Sequence, residues 1–73
     1  MKLVAFTEKG RTIYAANYRE MIYKLRSIAR LDYPKPSQYD TFRLRDGDSN
    51  LLLKGSLNCG FVWFVKNNTL HHI

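Results

Sequence analysis

Between Lys2 and Thr7 the side chains fall into two alternating sets, Leu3 with Ala5 and Val4 with Phe6, and β-forming residues dominate; this predicts a strand. Glu8-Lys9-Gly10-Arg11 is a polar break whose glycine can take positive φ, and Thr12 to Ala15 reads as a second strand, so the start is a hairpin. The pattern then changes period. Tyr18, Met21, Ile22, Leu25, Ile28 and Ala29 recur at helical spacing and make one apolar face of a helix from Tyr18 to Leu31. Asn17 is placed to cap it, Glu20 completes a capping box, and Lys24 follows Glu20 at the favourable i,i+4 distance.

Asp32-Tyr33-Pro34-Lys35-Pro36-Ser37 ends the helix, because proline lacks the N–H and drives its predecessor toward extended geometry. Thr41 to Arg45 alternates again, with Phe42 and Leu44 inward and Arg43 and Arg45 outward. A turn over Asp46 to Asn50 leads to a strand from Leu51 to Lys54, and Gly55 to Gly60 reads as another break. Phe61 to Val65 is the most hydrophobic run and predicts a central strand buried on both faces. The tail Asn67 to Ile73 is expected to fray. The reading is an α+β fold of order β-β-α-β-β-β: a mainly antiparallel sheet of four to five strands with one helix packed on it, forming a single domain over residues 1 to 73.

Charge narrows the function. Lys and Arg number 12 against 6 Asp and Glu, a formal charge of +6, which favours an acidic partner: nucleic acid or an acidic protein surface. The excess is concentrated before Pro36. No apolar run is long enough to cross a bilayer, and Glu8 interrupts the first residues before a signal core could form, so a soluble, cytoplasmic protein without membrane contact is expected. Cys59 is the only cysteine and is expected to be a small buried hydrophobe.

Around the helix at 100° per residue, Arg19, Tyr23, Arg26 and Arg30 make a narrow stripe away from the apolar face. A solvated surface needs no more than that, yet the stripe lacks acids, uses arginine throughout and carries a tyrosine, the residue types that anchor interfaces. Arg43 and Arg45, with Lys54, would extend the same positive surface if the sheet edge lay beside the helix. Chemistry of other kinds finds little support. Asp46, Asp48 and Asn50 imitate the first ligands of a calcium loop, but Leu51 and Leu57 replace the required glycine and glutamate. His71 and His72 diverge on any regular backbone, and neither Cys59 nor a serine has a catalytic setting, so no enzyme activity, cofactor, metal or small-molecule substrate is expected.

In layout, the strand MKLVAFTEKG, the extended piece RTIYAAN and the helix YREMIYKLRSIAR resemble small single-domain proteins of bacteriophages and mobile elements. That resemblance implies a host-directed role: a compact inhibitor or regulator that occludes a host protein or nucleoprotein surface. The alternative is direct nucleic-acid binding by the Arg/Tyr helix face. Phe42, Phe61, Trp63 and Phe64 look committed to the core, which tips the expectation toward the protein-binding role.

Overall fold

A computed structural model describes residues 2 to 73. It consists of β1 (Leu3–Thr7), β2 (Thr12–Ala15), α1 (Tyr18–Asp32), β3 (Tyr39–Asp46), β4 (Leu51–Asn58), β5 (Phe61–Lys66) and β6 (Thr69–His72). The strands form one six-stranded sheet in the order β2-β1-β3-β4-β5-β6, with every neighbouring pair antiparallel. This is the expected α+β architecture with an additional strand.

The extra strand comes from the tail. Asn67 and Asn68 both adopt left-handed backbone, at φ 53° and 60°, as the two central residues of a type I′ hairpin turn do. Asparagine tolerates that region because its short polar side chain bonds locally. Thr69–His72 therefore folds back on β5 instead of fraying, and Val62 and Ile73 exchange backbone hydrogen bonds at 2.9 Å.

Helix α1 lies across one face of the sheet and meets β1, β2, β4 and β5. Its cap forms as expected: the Asn17 side chain accepts from the Glu20 N–H at 2.9 Å, while the Glu20 carboxylate accepts from the Ala16 N–H at 2.7 Å. Met21, Leu25 and Ala29 are fully buried, and Ile28 packs at the margin. With Leu3, Ala5, Ile13, Ala15, Phe42, Leu44, Leu57 and Val62, the inward positions of five strands, they form one buried cluster. Each fully buried Leu or Met side chain stabilises by about 1.5–3 kcal/mol.

Two strands depart from expectation. β4 runs four residues past Lys54 because Gly55 does not break it; a Cβ at Gly55 would stand 2.6 Å from the Phe42 ring and overlap the Trp63 carbonyl. The glycine admits the Phe42 ring over the strand, and the chain turns only at Cys59 and Gly60, both with positive φ. β5 is not a central strand buried on both faces. It is next to the edge, the helix covers only one face, and Val62 alone is fully buried while Phe61, Trp63 and Val65 point to the other side. Cys59 is half-buried in its turn rather than packed in the core, with Sγ 3.1 Å from the Asn58 Oδ1.

Candidate functional site

The residues expected to bind a partner divide between two surfaces. Arg19, Tyr23 and Arg30 are exposed along α1, and Tyr23 keeps 74% of its surface accessible. Arg19 and Arg30 lie about 16 Å apart along the axis at 1.5 Å per residue. Arg26 departs from the stripe. It sits at the flank of the apolar face beside Ile22, is half-buried, and its enclosed Nε has no hydrogen-bond partner among the described residues. Arg43 and Arg45 stand on the opposite face of the sheet, so they do not extend the helix surface. Arg43 is exposed, whereas Arg45 is half-buried and donates to the Ser49 carbonyl at 3.0 Å.

The helix-free face is the more organised of the two. Strand register sets Phe6 of β1 opposite Arg43 of β3, and Arg43 opposite Lys54 of β4. One step along, Tyr14, Val4, Arg45 and Leu51 make a parallel row, and the Lys2 ammonium lies 5.3 Å from the centre of the Tyr14 ring. Phe6, Tyr14 and Tyr39 are each between 45% and 60% exposed. At one border of this surface Glu8 accepts a 2.8 Å hydrogen bond from the Thr41 hydroxyl. A bulge between Leu44 and Arg45 sets Leu51 rather than Leu52 against Arg45, which increases the local twist beneath the cations.

Farther across the same face lies a hollow of about 440 Å³, lined by Pro36, Tyr39, Ser56, Asn58, Trp63 and Leu70. Its origin is a size contrast. In the register the small side chains of Thr41 and Ser56 lie beside the large ring of Trp63, and Tyr39 stands one row along, opposite Asn58 and diagonal to Ser56. The walls are held firmly. Trp63 Nε1 donates to the Asn58 carbonyl at 2.9 Å, and the His72 and Phe61 rings pack against the indole at centroid distances of 4.7 and 6.1 Å. The Asn58 side-chain nitrogen donates to the carbonyls of Lys35, Pro36 and Gln38 at 3.3, 2.9 and 3.0 Å, which ties the proline loop to the rim.

This surface offers aromatic faces, cations and hydroxyls. The tail histidines separate, His72 onto Trp63 and His71 onto Phe64 on the other side of the sheet, and no three metal-ligating side chains converge among the described residues. Reading the sequence alone missed Phe6, Tyr14, Tyr39, Ser56 and Trp63 as surface candidates. Parity offered only part of the signal: it groups Phe6 with Lys2 and Trp63 with Phe61, without fixing which side of the sheet the helix covers. Compared with known proteins, the chain matches no family model, no curated protein and no solved structure.

Proposed function

We propose that the chain is a small, non-catalytic binding module that holds a single-stranded nucleic acid on the open face of its sheet. The observation that carries this reading is the row Phe6, Arg43, Lys54. Like charges directly opposite one another on neighbouring strands are destabilising. A phosphate bound between Arg43 and Lys54 would turn that repulsion into attraction, and the exposed ring beside them would take a base. An uncovered sheet reaches only bases that are unstacked, which favours a single strand over a duplex.

Fluorescence anisotropy of a labelled fifteen-nucleotide oligothymidylate, titrated at several salt concentrations, tests the reading. The parent binds with salt-dependent affinity, and the charge reversal Arg43→Glu with Lys54→Glu loses that binding while circular dichroism stays unchanged. A folded double variant that binds as the parent does would remove the open face from consideration.

A second reading keeps the helix surface as the site, with a phage-type inhibitor or regulator covering an acidic host protein surface. It is supported by Tyr23, the most exposed ring of the chain's helix, standing between Arg19 and Arg30. Because the two surfaces lie on opposite sides of the sheet, Arg19→Glu with Arg30→Glu discriminates between them: it abolishes partner binding under this second reading and leaves oligonucleotide binding through the open face.

A further inference from the structure

We propose that the hollow between Tyr39 and Trp63 is the subsite that receives one unpaired nucleobase, an assignment that rests on the nucleic-acid reading above and adds a specific place and mode of capture. Its volume of about 440 Å³ falls within the range of small-ligand sites. Aromatic rings flank it, Pro36 and Leu70 complete an apolar lining, and Ser56 leaves the floor low. A planar heteroaromatic ring matches that chemistry.

The surroundings of the hollow select a nucleotide over other flat molecules. Ser56 is two residues from Lys54 on β4, and Thr41, opposite Ser56, is two residues from Arg43 on β3. Successive outward side chains on a strand lie about 7 Å apart. A base seated over Ser56 therefore carries its sugar-phosphate toward the Arg43 and Lys54 pair.

The site is organised before any ligand arrives, which lowers the ordering cost of binding. The hydrogen bond from Trp63 Nε1 to Asn58 fixes the indole, and the contacts of His72 and Phe61 support it. These same bonds determine selectivity. The Asn58 amide nitrogen is engaged by three carbonyls, its Oδ1 lies 3.1 Å from the Cys59 Sγ, and the indole N–H is used within the protein. The hydroxyls of Ser56 and Tyr39 remain for the ligand, and a hydroxyl both donates and accepts. The subsite holds a base by stacking and tolerates any of them.

Trp63 is the only tryptophan in the chain, so its emission reports this hollow. Oligothymidylate and an abasic strand of equal length are each titrated while anisotropy of the labelled strand and Trp63 emission are recorded. Oligothymidylate quenches the emission with the same midpoint as the anisotropy change, and the abasic strand binds through charge without quenching. Ser56→Leu, which fills the floor, and Tyr39→Ala, at an exposed position, each weaken oligothymidylate about ten- to hundredfold and leave the abasic strand unaffected. Binding without quenching, equal quenching by both strands, or unchanged affinity in both variants overturns the base subsite while the nucleic-acid reading stands. If neither strand binds at all, both are overturned.

Discussion

The Tyr33 hydroxyl donates a 2.9 Å hydrogen bond to Oδ2 of Asp40, joining the residue that ends α1 to the beginning of β3. Asp40 is 2% exposed, and its Oδ1 also accepts from the N–H groups of Thr41 and Lys9 at 2.9 and 3.3 Å. The buried carboxylate is thereby satisfied. The neighbouring Tyr39 is then directed to the opposite face, toward the hollow. Tyr33→Phe removes one donor from a buried charge and is expected to destabilise by about 1–3 kcal/mol. Urea denaturation checks this: the midpoint falls while the slope stays constant.

Alkaline pH probes the same contact. Burial first, then the hydrogen bond to Asp40 and its charge, raise the Tyr33 pKa above the ordinary 10.0. The folded state thus disfavours the phenolate, so the unfolded chain releases its proton first and stability declines as pH rises from about 10 toward the higher folded value. Tyr33→Phe lacks this contribution to the alkaline loss, as a comparison of the two proteins' urea midpoints between pH 8 and 11 will show.

At acid pH the signs reverse. The Ala16 N–H and then Lys24 lower the pKa of Glu20 below 4.5, and the backbone and side chain of Asn50 lower that of Asp46 below 3.8. Both contribute stability above these ordinary values that disappears as pH falls through the lower folded ones. Glu20→Gln is expected to have a shallower stability loss below pH 4.5 than the parent. Thermal melts across that interval provide the comparison.

Gly55 carries a steric prediction. Valine there meets the Phe42 ring and the Trp63 carbonyl, and overpacking of this kind costs about 1–3 kcal/mol. Adding Phe42→Leu relieves the ring contact but not the carbonyl contact. The double variant is therefore expected to lose less stability in thermal melts than the sum of the losses of the two single variants.

Salt dependence counts the phosphates on the open face. If Arg43 and Lys54 each neutralise one, replacing either by alanine reduces the slope of log affinity against log salt by about 0.7 for a single strand. Arg19→Ala, on the helix side, leaves the slope unchanged. An equal change for all three substitutions would mean that only the total charge matters.

Local sequence determined the elements whose signals act over a few residues. Asn17, Glu20 and the i,i+4 apolar series specify α1 through its own backbone hydrogen bonds and one buried face. Alternation likewise put Arg43 and Arg45 on the outward side of β3. The Asn67-Asn68 turn was legible in principle, since asparagine accepts positive φ, but the polar tail around it suggested an unpaired end. Gly55 was misread because glycine signals a break locally, whereas its place in β4 depends on Phe42, thirteen positions earlier.

The candidate site depended on the tertiary structure. Period-two patterning separates Phe6 from Ala5 and Trp63 from Val62, but both members of each pair are apolar, so alternation cannot tell which will be covered. That choice came from where α1 packs: it buries Ala5 and Val62 and leaves Phe6 and Trp63 on the uncovered face. The same packing separated the helix arginines from Arg43 and Arg45, which the sequence had grouped by charge. Charge can be counted along a chain, but a shared surface requires long-range pairing, and the register of β3 with β4 set Arg43 against Lys54 and opened a hollow over Ser56.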